Sequence, residues 1–322
     1  MEDLQSTKKP ERPSLRSLWP GLEFEARRLG ASRIGVSSPP DEHEGLFREW
    51  LAAGHAASMR YLEKNVPVRS HPETRFPWAR SVLVIAVPYS PARGSEDPAT
   101  LAGSIARYAQ GDDYHEVMAG MLRSLESFLR DLAPEIETRS YVDTGPLSDR
   151  AYGAQGGIGW IGKNSMLIDP EHGSYFFLGT MLTSLQNDLD PGQIADRCGS
   201  CTRCIEACPT DAILPNRTVA SERCISYATI EHRGDLPASV AGRLEGNIFG
   251  CDICQEVCPW NGAPVESHPA FRPREQYRAT PVTDLLRLSQ NDFSALFRKS
   301  AVKRARRDGM MRNARARQYA TE

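Results

Sequence analysis

Apolar positions along the first half of the chain alternate between helical spacing and short continuous runs. Leu15, Leu18, Leu22, Ala26 and Leu29 share one face at a near-3.6 period, and Gly30 follows where a helix commonly stops. A second helix is expected over Leu46–Ala53. Ser81–Val87 is β-branched and apolar and is closed by Pro88, the pattern of a buried strand. The clearest periodicity lies in Tyr114–Leu132, where Val117, Met118, Met121, Leu125, Phe128, Leu129 and Leu132 recur before Pro134. Arg139–Val142 reads as a strand that delivers Asp143 into a turn at Gly145-Pro146. Ser165–Ile168 and Ser174–Thr183 read as further strands about a turn at Gly173. Strands alternating with amphipathic helices predict an α/β (α+β) domain over residues 1–189, its first part a polar leader to about Pro13.

The pattern changes at Asp190-Pro191-Gly192, which reads as a linker. A cysteine segment occupies 190–265, and a region expected to be loop-rich, broken by Pro264, Pro269, Pro273 and Pro281, fills 266–322 and ends basic. With 322 residues, 40% hydrophobic and 25% charged, the composition is that of a soluble globular protein. A formal charge of −2 points to no partner, so only local charge is informative. The N-terminus has no apolar stretch suited to a signal peptide, and no run is long enough to span a bilayer. A soluble, cytoplasmic, monomeric protein is expected.

All eight cysteines fall between positions 198 and 258. Disulfide frameworks spread their cysteines to close loops across a chain, whereas clustered thiols without an export signal suit metal. Cys198, Cys201, Cys204 and Cys208-Pro209 form the run C-x2-C-x2-C-x3-C-P of bacterial ferredoxins. Cys251, Cys254 and Cys258-Pro259 repeat it with the first member missing, where Ile248 stands, and Cys224 is the thiol left to fill that vacancy. In two-cluster ferredoxins the fourth cysteine of each run serves the other cluster. One [4Fe–4S] cluster is therefore expected on Cys198, Cys201, Cys204 and Cys258, and the other on Cys208, Cys224, Cys251 and Cys254. The competing reading is a pair of structural zinc sites, which leaves the x2-x2-x3 run and both Cys-Pro pairs without a reason.

Three further features are ambiguous on the residues alone. Gly157-Ile-Gly159-Trp-Ile-Gly162-Lys163-Asn164 fits G-x-G-x-x-G but lacks the hydroxyl a P-loop needs after lysine, and a helix is expected upstream. It is either a bare backbone beside a flat ligand or a tight turn between packed elements. Asp143 is either a general acid whose pKa burial raises or a turn aspartate. Lys299, Lys303, Arg304, Arg306, Arg307, Arg312 and Arg315 form either a solvated face or a phosphate-binding surface. Asp41-Glu-His43-Glu-Gly45 misses the histidine-ligand loop of some cobalamin proteins by one residue and reads as solvated loop.

Taken together, Arg107–His115, Tyr141–Pro146, Gly157–Asn164, Gly173–Gly179, Cys224–Glu231 and the two cysteine runs resemble the epoxyqueuosine reductase family from about residue 15 to 317. The resemblance implies a cobalamin-dependent oxidoreductase that removes the epoxide oxygen of epoxyqueuosine at the tRNA wobble position, the last step of queuosine synthesis. It implies a catalytic domain related to reductive dehalogenases, and cob(II)alamin bound without a histidine ligand. Asp143 then stands as proton donor. Arg69, Tyr108, Asp143, Leu167, Leu178, Ser226, Cys251 and Asp252 fall at the cobalamin pocket. The basic segment with Lys303, Arg304, Arg306, Arg307 and Arg312 falls at the tRNA contact. An electron donor is required, and the sequence does not identify it. The rival expectations are a reductive dehalogenase on a small halogenated molecule and a non-catalytic ferredoxin-type electron carrier.

Overall fold

A computed structural model of the chain describes residues 14–89, 97–190, 192–262 and 266–319. The polar leader, Pro191 of the linker and Pro264 lie outside the described residues. In chain order the catalytic part contains α1 (Leu15–Arg28), β1 (Arg33–Ser37), α2 (Glu44–Ala52), α3 (Val66–Ser70), β2 (Ser81–Pro88), α4 (Tyr114–Leu132), β3 (Thr138–Tyr141), α5 (Asp149–Gln155), β4 (Trp160–Ile161), β5 (Leu167–Ile168) and β6 (Phe176–Thr183).

Four strands form one sheet in the order β1-β2-β6-β3, and every neighbouring pair is antiparallel. Every residue of β2 is buried, because β1 and β6 flank it and helices cover both faces. Leu83, Ile85 and Val87 point to one side and join α1 and α4 residues such as Leu22, Met118, Leu122 and Leu129. Val82, Val84 and Ala86 point to the other and pack with Tyr152 of α5, Ile158, Leu167 and Leu182. This period-two alternation is what makes a continuous apolar run read as a two-sided strand. The fold is thus mixed α/β around an antiparallel sheet.

β1 carries no such run. Its Gly35 lies so close to the end of α5 that a Cβ there would meet the Gly156 carbonyl oxygen at 2.4 Å. The glycine that blurs the strand pattern is the one that lets helix and sheet touch. The segment 41–45, expected as solvated loop, is only partly so. Asp41 is buried and accepts the His43 backbone N–H at 2.8 Å.

Beyond the linker, α6 (Arg203–Glu206), α7 (Ile225–Ile230) and α8 (Ile253–Glu256) carry or follow the cysteines. The region expected to be loop-rich is instead a string of short helices, including α9 (Glu275–Ala279), α10 (Gln290–Leu296) and α11 (Arg306–Tyr319). Pro269 and Pro281 stand at the starts of helical turns rather than interrupting them, Pro269 directly after its capping His268. Tyr277, Phe293, Phe297, Val302, Met310 and Ala314 share a core with Leu101, Ile105, Ile248 and Phe249. That shared core ties the C-terminal helices to both the catalytic part and the cysteine segment. Among the described residues no helix is long and apolar enough to cross a membrane.

Candidate functional site

The eight cysteines are free thiols, each half-buried. Their mutual electrostatics sort them into two sets. Burial raises the pKa of Cys204, and Cys198, Cys258 and Cys201 add to the rise. Cys258 is raised likewise by burial and then by Cys198 and Cys201. In the second set, burial pushes Cys251 up to about 12, with Cys224 and Cys208 contributing. Cys254 is raised by burial, then by Cys251 and Cys224. The last cysteine of each run therefore sits with the other run's set, Cys258 beside Cys198 and Cys208 beside Cys251.

Donors converge on these sulfurs. The Ala212 backbone N–H reaches Cys208 Sγ at 3.3 Å. Backbone N–H groups of Tyr227 and Ser226, at the start of α7, act on Cys224, and those of Trp260 and Asn261 act on Cys258. Such donors favour the thiolate over the thiol. Among the described residues, no three His, Cys, Asp or Glu side chains converge as a single metal ion requires. Tetrahedral zinc needs four sulfurs at about 2.3 Å from one point. Two sets of four thiols, spaced in the chain as C-x2-C-x2-C-x3-C-P and its partial repeat, are the donor set a pair of [4Fe–4S] clusters takes.

Asp143 follows β3 with φ of 55°, a left-handed conformation that aspartate tolerates better than most residues. Tyr114 and His115, from the first turn of α4, meet its carboxylate. The Tyr114 hydroxyl donates to Oδ2 at 3.0 Å, and His115 Nε2 lies 3.5 Å from the same oxygen. His115 Nδ1 is 2.8 Å from Asp113 Oδ1, and Asp113 also caps α4. Burial works against the imidazolium, but the hydrogen bond to Asp113 and the nearby Asp143 carboxylate outweigh it and raise His115 to about 9. The His115 hydrogen bond in turn lowers Asp143 below the ordinary carboxylate range. The expectation that burial raises Asp143 is therefore corrected. The two shifts run in opposite directions, His115 raised and Asp143 lowered, which favours the imidazolium–carboxylate form of the pair.

Asp149 lies behind this pair. Burial, helped by the Asp143 charge, raises its carboxyl to about 7, against a 3.1 Å hydrogen bond from Thr180 Oγ1. Burial also lowers Arg150, which Asp143 and Asp149 partly offset. Yet Arg150 is exposed, and the Asp143 side chain is 65% exposed. Asp143 and Arg150 are thus open to solvent, with Asp149 close enough to feel the Asp143 charge. The burial-driven shifts of Asp149 and Arg150 accordingly belong to a filled site more than to an open one.

The other expected pocket residues come from several elements. Arg69, on α3, is held over the Phe47 ring at 5.3 Å and feels the charges of Asp149 and Asp143. Its Nε is buried without a hydrogen-bond partner. Burial raises the Tyr108 hydroxyl, and the charges of Asp143 and Asp252 add to the rise. Asp252 accepts the Arg107 backbone N–H at 2.8 Å, and burial raises it to about 6. Ser226 lies at the start of α7 beside Cys224, and Leu178 is half-buried in β6. Leu167 is buried in the core at 2% exposure. Sequence reasoning missed Tyr114, His115, Asp149 and Arg150. Their signal is their place in the first turns of α4 and α5, where polar side chains next to a helix start can face a shared cleft.

The basic segment divides in two. Lys303, Arg304 and Arg306 are exposed. Arg304 is held bidentately by Glu231 at 2.7 Å and lies over the exposed Tyr61 ring at 5.7 Å. Arg307 donates to the Leu288 carbonyl. Arg312 turns inward, donating to the carbonyls of His232, Gly234 and Ala228 and to Asn313 Oδ1. Its expected role at a phosphate surface is corrected accordingly, because four acceptors already take its donors. Arg312→Ala should cost about 2–4 kcal/mol of stability, and Lys303→Ala less than about 0.5, in denaturant melts. Equal midpoints for the two variants would contradict this division.

Comparison with known proteins agrees with this geometry. The family described as "4Fe-4S double cluster binding domain" matches residues 197–261, and "Epoxyqueuosine reductase QueG, DUF1730" matches residues 69–144. An epoxyqueuosine reductase from Synechocystis sp. is 40% identical over 282 residues, covering 86% of this chain and 95% of the relative. A crystal structure of an epoxyqueuosine reductase with an epoxyqueuosine-modified tRNA stem loop matches with TM-score 0.86 and 32% identity, covering 94% of this chain and 81% of that one. The Bacillus subtilis enzyme, captured with its catalytic aspartate loop swung out of the active site, matches with TM-score 0.85 and 30% identity over the same shares. Identity at this level across nearly the whole length of both partners decides the relationship: the chain belongs to the epoxyqueuosine reductase family.

Proposed function

We propose that this oxidoreductase reduces epoxyqueuosine to queuosine in tRNA with two [4Fe–4S] clusters and a cobalamin. The carrying observation is that the charges of Asp143 and Asp252 both act on Tyr108, and that Asp252 directly follows Cys251 of the more buried thiol set. Cys208, Cys224, Cys251 and Cys254 are read as ligands of the inner cluster, and Cys198, Cys201, Cys204 and Cys258 as ligands of the outer one. Gly199, Ser200, Thr202 and Arg203 are exposed around the outer set, which suits entry of electrons from a donor.

Arg69, with its unpartnered buried Nε, and Tyr108 would hold the cobalamin together with Leu167, Leu178 and Ser226. Cobalamin, when bound, supplies a strongly reducing metal centre that no side chain can provide. Turning an epoxide into an alkene consumes two electrons and two protons, and the oxygen leaves as water. The His115 imidazolium, 3.5 Å from Asp143, would be the source of the proton, and Asp143 would relay it to that oxygen. The Tyr114 hydroxyl fixes the carboxylate that does so. The Bacillus subtilis relative has been captured with its catalytic aspartate loop swung out of the active site, and Asp143, on the turn after β3, would be the corresponding residue of this chain.

Arg304 feels the Asp143 charge as well as that of Glu231, so the basic segment borders the mouth of the site. Lys303, Arg304 and Arg306 would meet tRNA phosphates there, and Tyr61 offers a ring for an unstacked base. A tRNA substrate agrees with a cytoplasmic enzyme. The test is anaerobic reconstitution with cobalamin and a strong reductant, followed by tRNA carrying epoxyqueuosine. A nucleoside lighter by one oxygen is expected by mass spectrometry, and its absence from fully loaded enzyme would remove the assignment.

A further inference from the structure

The glycine-rich segment Gly157–Asn164 touches no nucleotide-binding feature. It follows α5 rather than a strand, and its lysine is already engaged. Lys163 Nζ donates to the carbonyls of Gly199 at 2.8 Å and Cys201 at 2.9 Å, on the loop joining the first two cysteines. Asn164 Nδ2 reaches the Cys254 carbonyl of the other set at 3.3 Å, and Asn164 is 2% exposed. Between them stands Trp160 of β4, 4% exposed, whose indole Nε1 lies 3.4 Å from Cys198 Sγ. Trp260, which follows Cys258-Pro259, packs edge-on against Trp160 at 5.0 Å. Gly159 makes this approach feasible, since a Cβ there would sit 2.0 Å from the Ile168 carbonyl oxygen.

We propose that this segment is a clamp on the outer cluster, in which Trp160 is a positioning residue that raises the cluster's reduction potential. The reasoning is electrostatic. A cluster gains negative charge on reduction, and part of it falls on the ligating sulfurs. An N–H aimed at one of those sulfurs stabilises the reduced form more than the oxidised form. Lys163 adds a positive charge held within the same loop. The remainder of this loop faces solvent, so the indole is a fixed donor side chain where water would otherwise supply a fluctuating one. The clamp keeps the entry cluster reducible by a modest donor and holds it in register with the inner set through Asn164.

The inference rests on the two-cluster reading, and its test separates the two. Iron content and two reduction waves in a potentiometric titration followed by electron paramagnetic resonance report on the clusters themselves. Trp160→Phe keeps the ring and removes the N–H. At fixed poise, the reduced-to-oxidised ratio of one cluster should fall by about three- to tenfold, while the other stays unchanged. Both waves unmoved, or both moved equally, would overturn the proposal while leaving the clusters intact. Should the variant fail to hold iron, the wild-type holoprotein labelled with 15N at its tryptophan indoles decides. A 15N hyperfine coupling to the reduced outer cluster supports the hydrogen bond, and no coupling refutes it.

Discussion

Asp143→Asn is expected to retain full iron content and cobalamin binding while turnover falls by about a hundredfold or more, the range seen when a general acid is lost. Asparagine suits the test because it tolerates the φ of 55° at this turn and still accepts from Tyr114. What it cannot do is take a proton from His115 and give it up. The pH profile should carry the same signature. His115 is protonated below about 9, so the supply of protons to Asp143 persists through neutral pH and declines as pH rises through that value. His115→Gln should remove the alkaline limb and lower the rate. Stability follows the same sign. The raised imidazole contributes fully below its ordinary pKa near 6.5, and that contribution is lost as pH climbs towards 9. Asp143, lowered by the same hydrogen bond, contributes in the opposite sense and loses its share as pH falls. Unaltered turnover in the Asn variant would show that another group protonates the leaving oxygen.

The elements that sequence reveals here are those whose physics is local. β2 and α4 declare themselves because every second or every third-to-fourth position must be apolar to be buried. β1 does not, since Gly35 is chosen for contact with Gly156 across the chain, and that pressure leaves no periodic trace. The proline-rich stretch after 266 reads as loop for a related reason. Its helices are shorter than the window over which periodicity accumulates, and their stability comes from a core shared with Leu101 and Phe249.

The site divides along the same line. Cysteine spacing is visible because a cluster imposes it within a few residues. The partnership of Asp143 with His115 is invisible because β3 and α4 bring them together only in the folded state. The charge run was ambiguous for a rotational reason. Successive residues on a helix point about 100° apart, so Arg312 and Asn313 are carried inward while Arg306 stays out. Even the G-x-G-x-x-G match contained real information, a backbone kept bare for close approach, attached to the wrong ligand.

Cys224→Ala offers the largest expected effect on the cofactors and the sharpest test of how the thiols are shared. Cys224 belongs to neither run, and its nearest cysteine in the chain, Cys208, is separated from it by the Ile213–Val219 bridge. It stands at the start of α7 with two backbone N–H groups acting on its sulfur, as suits the ligand role proposed for it. Removing it should halve the iron from about eight to about four per chain and abolish one reduction wave. The survivor should be the outer cluster, recognisable because Trp160→Phe still shifts its potential. Turnover should vanish, because Cys251 of the inner set directly precedes Asp252, whose charge acts on Tyr108 together with that of Asp143. Loss of all iron would mean that the two sets fold as one unit, in line with the Cys204 charge acting on Cys254. Full retention of iron would exclude Cys224 as a ligand and, with it, the interleaved sharing of thiols on which the electron route depends.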